Sequence, residues 1–168
     1  GEDYCQVSAF EKYVDRAQWQ TWPIRVQDNT LRILDLFAAH QVRGTFFTLG
    51  WVAERYPDLV KRIVSGGHEI ASHGWDHVRV NTQTPAEFRK DIERTRKLLQ
   101  DISGEPVLGY RAASYSIGAS EAWAWEQLAD AGHRYSSSIV PIRHDLYGIP
   151  GAPRFSFSAA GGRLLEIP

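Results

Sequence analysis

The sequence predicts an α/β protein in which helices cover a mainly parallel sheet. Segments with apolar residues at helical spacing alternate with short runs of apolar and β-branched residues. Glycine and proline separate these segments, and polar side chains gather where the predicted strands end. Ligands bind at the carboxyl ends of strands both in open doubly wound sheets and in barrels. The pattern therefore predicts a site there without choosing between the two architectures.

The first half of the chain predicts two helices with a strand between them. Residues 25–40 carry apolar side chains at helical spacing. Residues 44–49 are apolar or β-branched, as expected of a buried strand. Pro57 suits the first turn of the next helix. Gly66 and Gly67 suit its end, because glycine accepts a left-handed conformation.

A short strand over residues 68–72 comes next. A clear helix-start motif follows it. Thr84 is a good N-cap, and Glu87 three positions later completes a capping box around Pro85. We expect a helix from there to about residue 103.

The last part of the chain continues the alternation. Residues 107–110 predict a strand, and residues 120–131 predict a helix. Residues 133–136 predict a further strand, which residues 139–142 extend or follow. From Arg163 onwards the chain has the character of another strand that is just beginning.

Composition indicates a single globular domain, which we assign to residues 1–168. The chain is 43% apolar and 23% charged, with a formal net charge of -1. A near-neutral chain has no electrostatic footprint for nucleic acid or an anionic membrane. No apolar run reaches the roughly 18 residues of a transmembrane helix, so no membrane insertion is expected. The single cysteine, Cys5, excludes an internal disulfide.

Both ends of the sequence have the character of a cut chain. Gly1 opens it with no strand before the acidic residues, and the last residues begin a strand. We therefore expect a fragment of a longer protein. A cytoplasmic and a cell-envelope location in a bacterium both stay open, and the sequence indicates no oligomeric state.

The segment from Ser72 to His77 is the sharpest candidate for chemistry. Its two histidines, His73 and His77, are four residues apart, so one helical turn would direct both rings at one ion. Gly74 makes a loop that turns into a single helical turn a reasonable local structure. Surface or packed histidines are the alternative interpretation of this spacing.

Acidic residues and an arginine complete the inventory. Glu2 and Asp3 supply two carboxylates at the start of the chain, one of which can ligate a metal while the other acts as a base. Arg111 follows a predicted strand, where it can pair with a carboxylate or form an ordinary salt bridge. One carboxylate and the two histidines form a set suited to metal-assisted hydrolysis.

These motifs resemble those of the polysaccharide deacetylases that share the NodB-homology domain, carbohydrate esterase family 4. The segments 67–77 and 109–115 are similar to two of the family's motifs, and they occur in the family's order. Residues 2–7, 136–139 and 141–148 are similar to a subfamily encoded near exosortase-linked (PEP-CTERM) exopolysaccharide systems.

The resemblance implies a distorted (β/α) barrel with a divalent metal at its mouth. Asp3, His73 and His77 would be the ligands. Zinc suits this set best, with nickel, cobalt or manganese as alternatives. Glu2 would take the place of the family's catalytic base, and Arg111 would orient it.

The sequence departs from the family pattern at five points. Three of them are Glu2 in place of the usual aspartate, Cys5 where phenylalanine is expected, and Tyr135 followed by Ser136 where the fourth segment usually has an acid.

The other two departures are Ala113, where the family has proline, and the absence of the late Leu-x-His motif from this chain. That histidine protonates the leaving amine in the family. Either it lies beyond Pro168, or His144, which lies between Arg143 and Asp145, replaces it.

The implied reaction is the removal of an N-acetyl group from a sugar of a bacterial polysaccharide, with release of acetate. The substrate partner would be a polysaccharide or oligosaccharide, and aromatic rings such as Tyr115 and Trp75 would flank it. A hydrolase that opens a small cyclic imide or ureide is one alternative. A non-catalytic carbohydrate-binding module is another.

Overall fold

A computed structural model describes residues 3–7, 10, 12–144 and 147–168. Within these residues, six strands form one mixed sheet. The strands are β1 (Thr45–Thr48), β2 (Glu69–Ser72), β3 (Gly109–Tyr110), β4 (Tyr135–Ser136), β5 (Phe157–Ala159) and β6 (Leu164–Glu166). Their spatial order is β1-β2-β3-β4-β6-β5, with every neighbouring pair parallel except β5 and β6.

Helices connect the parallel strands and cover the sheet. They are α1 (Val26–Ala39), α2 (Gly50–Arg55), α3 (Pro57–Ser65), α4 (Pro85–Ser103) and α5 (Trp123–Asp130). The predicted α/β fold with a parallel sheet is confirmed, and the arrangement is consistent with a distorted barrel. None of the helices in the described ranges has the length and apolarity required to cross a bilayer.

Helix α4 begins and ends at the residues that the sequence predicts. The Thr84 hydroxyl accepts the Glu87 N–H at 3.3 Å, and the Glu87 carboxylate accepts the Thr84 N–H at 2.8 Å. Gly104 follows the last turn with φ 73°, a conformation that glycine adopts without strain. Local hydrogen bonds therefore fix the position of this helix in the chain.

Helix α4 also joins two parts of the core. Phe88 and Ile92, both fully buried, pack in a cluster with residues of β3, α5 and β6. Leu99, two turns later, packs in a second cluster with residues of α1, α3 and β2. A third cluster joins the opening segment to α2 through Trp19 and Trp51, whose rings meet edge to face at 5.6 Å. These clusters hold the ends of β2 and β3 in place.

The sequence-based assignment omits one helix and contains one strand that does not form. Helix α2 is absent from the sequence-based assignment, and residues 139–142, expected to extend or follow a strand, form none. The backbone there turns: Ile142 and Ile149 both donate their N–H groups to the Val140 carbonyl.

Candidate functional site

A cleft of about 380 Å³ lies where β2 and β3 end. His73 directly follows β2, and Arg111 directly follows β3. Both strands are parallel, so their ends meet at one edge of the sheet, as the sequence predicts. The residues that line this histidine cleft are Val7, Thr45, Phe46, Phe47, His73, His77, Arg111, Ala112, Ser114 and Tyr115.

The two histidines of the motif lie side by side in this cleft. The ring centroids of His73 and His77 are 5.0 Å apart and the ring planes meet at 70°. Both residues are buried. The His73 Nδ1 lies 2.7 Å from the Arg111 carbonyl oxygen. A carbonyl can only accept, so Nδ1 carries the proton and the Nε2 lone pair is the one suited to a metal.

The loop that carries the histidines is not helical, which corrects the predicted helical turn. Gly74 has φ 75° and His77 has φ 60°, both left-handed values. The backbone groups of the loop bind other elements instead of one another. The Gly50 and Trp51 N–H groups at the start of α2 donate to the Gly74 and Trp75 carbonyls at 2.9 and 2.8 Å.

Two side chains from distant parts of the chain hold the same loop. The Asp91 Oδ1, on α4, accepts the Trp75 N–H at 2.7 Å. The Arg16 guanidinium donates to the Asp76 and His77 carbonyls and lies 3.5 Å from the Asp76 carboxylate. The loop is therefore anchored through both its N–H and its carbonyl groups.

Asp91 is a buried acid beneath the loop. Burial raises the pKa of its carboxyl from 3.8 to about 6, opposed by the Trp75 N–H and aided by the nearby Asp76 charge. Thr95 donates to the Asp91 carbonyl at 2.9 Å and lies 3.4 Å from the carboxylate. A Cβ atom at Gly74 would lie 2.9 Å from the Asp91 Oδ2, so the loop approaches the acid closely.

Arg111 lines the cleft, and the hydrogen bonds of its side chain to described residues go to no acid. The guanidinium donates to the Ser137 carbonyl at 2.9 Å and to the Ser137 hydroxyl at 2.8 Å. It also lies 4.2 Å from the Phe47 ring centroid. Its predicted partner, Glu2, lies outside the described residues, so the base and its orientation by Arg111 stay predictions.

Tyr115 lines the cleft and connects it to an aromatic cluster. Its ring lies 5.6 Å from the Tyr147 ring, which in turn stacks on His144 at 4.0 Å and 13°. His144 is exposed and is not among the residues that line the histidine cleft. Its role as the general acid stays a prediction, and Asp145 beside it lies outside the described residues. The Tyr115 N–H donates to the Ala112 carbonyl at 3.1 Å, so this N–H forms a hydrogen bond within a backbone turn.

Asp3 does not join the histidines. Its carboxylate accepts the N–H groups of Tyr4 and Val26, the latter at 2.7 Å, and that of Arg25. It thereby caps a short helical turn and the start of α1, and it lines a different cleft from the histidines. No three His, Cys, Asp or Glu side chains within the described ranges are grouped to hold a metal. Metal binding by Asp3, His73 and His77 stays a prediction, of which the structure brings the two histidines together.

Trp75 is not among the residues that line the histidine cleft, and its contact with substrate stays a prediction. Its ring packs against Gly50, and the Arg94 guanidinium lies 3.1 Å from the ring centroid. The reason is the loop conformation, since Trp75 turns toward α2 and α4 while the flanking histidines turn toward the sheet end.

Sequence reasoning missed three residues that shape the site region. Asp91 and Arg16 anchor the histidine loop, as described above. Glu166, fully buried, accepts the N–H groups of Ser138 and Ile139 at 2.7 and 3.0 Å, behind the Arg111 contact at Ser137. Glu166 lies at an alternating, buried position of β6, and an acid at such a position indicates a buried carboxylate with hydrogen-bond partners.

Comparison with known proteins agrees with this description. The sequence model of the family described as Polysaccharide deacetylase matches residues 13–136. A peptidoglycan-N-acetylglucosamine deacetylase of Bacillus cereus is 39% identical over 145 residues, which are 80% of this chain and 53% of that protein. The chain thus spans about half the length of this relative.

Solved structures agree as well. A protein from Mycobacterium smegmatis assigned as a polysaccharide deacetylase superimposes with a TM-score of 0.66 at 28% identity, over 82% of this chain and 44% of that one. A peptidoglycan N-acetylglucosamine deacetylase superimposes with a TM-score of 0.55 at 35% identity, over 59% of this chain and 47% of that one.

The mainly parallel sheet covered by helices places the molecule among the α/β proteins, in an arrangement consistent with a distorted barrel. The match over residues 13–136 then specifies the family: the chain belongs to the polysaccharide deacetylases.

Proposed function

We propose that the protein is a metal-dependent hydrolase that removes N-acetyl groups from the sugars of a bacterial polysaccharide and releases acetate. One observation carries the proposal. His73 and His77 lie 5.0 Å apart in a cleft that also contains Arg111 and Tyr115, in a chain of the polysaccharide deacetylase family.

A divalent metal is the cofactor that the histidine pair fits. The Nδ1 of His73 donates to the Arg111 carbonyl, which leaves the electron pair of a neutral imidazole on Nε2, the usual metal-binding form. Zinc is our choice, because histidine nitrogens suit it, and nickel, cobalt or manganese are the alternatives. Such a metal would supply Lewis-acid chemistry to the amide carbonyl. Asp3 is the proposed third ligand, which requires its carboxylate to leave the backbone N–H groups that it accepts at the start of α1.

The remaining residues of the cleft suit a sugar amide. Tyr115 presents an aromatic ring, which can cover the apolar face of a pyranose. The Arg111 charge lies beside it, 5.7 Å from the ring, where it can stabilise negative charge. Glu2 as the base and His144 as the acid complete the proposed set. His144 stacks on Tyr147, whose ring contacts Tyr115 at the edge of the cleft.

The relatives support a polymer of N-acetylated sugars as the substrate. The named activity of the Bacillus cereus protein is peptidoglycan-N-acetylglucosamine deacetylation, and a Bradyrhizobium relative is named a chitooligosaccharide deacetylase. We extend the proposal to an exopolysaccharide, made by an exosortase-linked system, on the basis of residues 2–7, 136–139 and 141–148.

Acetate release tests the proposal. Zinc-loaded protein is incubated with N-acetylglucosamine tetramer, and acetate and bound metal are both measured. We expect His73→Ala to lose both metal and acetate release, at least about a hundredfold for the latter because one ligand is removed. The exposed His40→Ala variant is the matched control and should retain both. Acetate release that His73→Ala leaves unchanged would refute the assignment.

The second candidate is a carbohydrate-binding module without turnover. The observation that favours it is Asp3, whose carboxylate caps α1 instead of facing the histidines. This candidate predicts tetramer binding with no acetate from protein that holds stoichiometric zinc. The same experiment therefore separates the two.

A further inference from the structure

The conformation of the histidine loop, residues 73–77, determines whether both of its rings can reach one ion. In a helix, residues four apart lie on one face, but this loop is not helical. Gly74 and His77 have left-handed φ values of 75° and 60°, and with this backbone the ring centroids of His73 and His77 lie 5.0 Å apart. The pairing of the rings therefore depends on the left-handed conformation of the loop.

The left-handed conformation at His77 requires contacts that hold it. A residue with a Cβ atom adopts such a φ at a cost in free energy, whereas glycine adopts it freely. Residues of this kind persist where the surrounding structure fixes the backbone around them. The contacts of the neighbouring peptide groups therefore maintain the loop.

One peptide group of the loop, between Gly74 and Trp75, is held from both sides. Its carbonyl accepts the Gly50 N–H of α2 at 2.9 Å, and its N–H donates to the Asp91 Oδ1 of α4 at 2.7 Å. The C=O and N–H of a trans peptide point in opposite directions within one plane, so the two contacts together resist rotation of that plane. Its rotation would change ψ of Gly74 and φ of Trp75 and would move the two histidines relative to each other.

Helix α4 gives Asp91 a fixed position. The helix is capped at both ends, by Thr84 and by Gly104. Ile92, the next residue in the chain, is fully buried in the core. One turn later, the Thr95 hydroxyl donates to the Asp91 carbonyl at 2.9 Å and lies 3.4 Å from its carboxylate. The core therefore determines where Asp91 lies, and the loop meets it there.

The Asp91 carboxylate also fills the space beside the loop. A Cβ atom at Gly74 would lie 2.9 Å from the Asp91 Oδ2. A hydrogen bond to a carboxylate is roughly twice as strong as one to a neutral acceptor. Asp91 is not among the residues that line the histidine cleft, so its contacts reach the site through the loop.

We propose that Asp91 is a positioning residue of the histidine site, which holds the Gly74–Trp75 peptide plane and thereby keeps His73 and His77 directed at one ion. The inference rests on the proposed function for the presence of a metal. It predicts that Asp91 strengthens metal binding without contacting the metal, because the ion then need not order the loop when it binds.

Zinc affinity, measured by competition with a chromophoric chelator, tests the proposal without turnover. Asp91→Ala removes the acceptor of the Trp75 N–H and should weaken zinc binding about tenfold, as loss of an outer-sphere partner does. Asp91→Asn keeps an oxygen at this position and should recover most of that affinity. Ile92→Val alters the adjacent core residue and leaves the loop contacts in place, so it controls for a general loss of stability.

Hydrogen exchange in the metal-free protein gives a second measurement of the same contact. The Gly50 N–H donates to the Gly74 carbonyl, so its exchange rate reports rotation of the peptide plane. We expect this N–H to exchange about tenfold faster in Asp91→Ala than in the original protein. The rate in Asp91→Asn and in Ile92→Val should change much less.

Three results would overturn the proposal. They are unchanged zinc affinity in Asp91→Ala, an equal loss in Ile92→Val, and an equal loss in Asp91→Asn, which would indicate the charge and not the hydrogen bond. Failure of the proposed function is separate. The original protein would then bind no zinc, while exchange of the Gly50 N–H would still distinguish Asp91→Ala from Asp91→Asn.

Discussion

The buried acid beneath the histidine loop gives the most quantitative prediction. In the folded protein the Asp91 carboxyl has a pKa of about 6, against an ordinary value of 3.8. Above pH 6 the folded state therefore holds a charge that burial disfavours, and this destabilisation is relieved as the pH falls through 6. From the two pKa values the cost is about 3 kcal/mol at pH 8 and about 1 kcal/mol at pH 4.5.

Asp91→Asn removes the titration and keeps an oxygen that can accept the Trp75 N–H. The variant should therefore have a higher free energy of unfolding than the original protein, and this advantage should be about 2 kcal/mol smaller at pH 4.5 than at pH 8. Urea unfolding followed by tryptophan fluorescence measures this difference. Titrations elsewhere in the chain cancel, because they are common to both proteins.

Asp101→Asn is the matched control for this comparison. Asp101 lies on the same helix, exposed and paired with Lys97 at the surface, so its replacement should produce a much smaller pH dependence. A stability difference for Asp91→Asn that is equal at both pH values would refute the reasoning, because the carboxyl would then titrate normally.

Two further predictions concern packing and pH. Burial, aided by the Arg96 charge, lowers the pKa of His133 from 6.5 to about 3, so the unfolded chain gains a proton that the folded protein excludes. The free energy of unfolding of the original protein should fall between pH 7.5 and pH 5.5 by about 1.3 kcal/mol more than that of His133→Leu. Urea titrations that show the same pH dependence for both proteins would contradict this. Gly50→Ala should destabilise by about 1–3 kcal/mol in thermal unfolding, because its methyl group would collide with the Trp75 ring. Gly151→Ala, with open space around it, is the control, and an equal effect of both substitutions would exclude the collision.

Elements whose hydrogen bonds are local were predictable from the sequence. Thr84 and Glu87 cap α4 with their own side chains, and Gly104 ends it, all within the segment itself. Helix α2 was not predictable in this way. It has no side-chain cap, and the N–H groups of Gly50 and Trp51 bind carbonyls of the histidine loop some two dozen residues later.

The candidate site shows the same difference between local features, which the sequence predicts, and contacts with distant parts of the chain, which it does not. His73 and His77 were predictable as a pair, because one short segment contains both. The conformation of that segment was not, since Asp91 and Arg16 hold it from elsewhere in the chain. Asp3 shows a second limit of sequence reasoning. An acid near the start of a chain suits a metal and a helix cap equally well, and its contact with the start of α1 could not be read from the sequence.

The contacts of Arg16 determine how a ligand would meet the histidine cleft. This side chain joins the opening segment to the Asp76 and His77 carbonyls, while His73 is fixed by the Arg111 carbonyl. The His73 imidazole and the backbone at His77 thus adopt their positions when the chain folds, and a ligand need not order them on arrival. The entropy that association normally loses through side-chain immobilisation is correspondingly small here. Loosening the opening segment at Arg16 should therefore weaken ligand affinity even though Arg16 itself lies outside the histidine cleft.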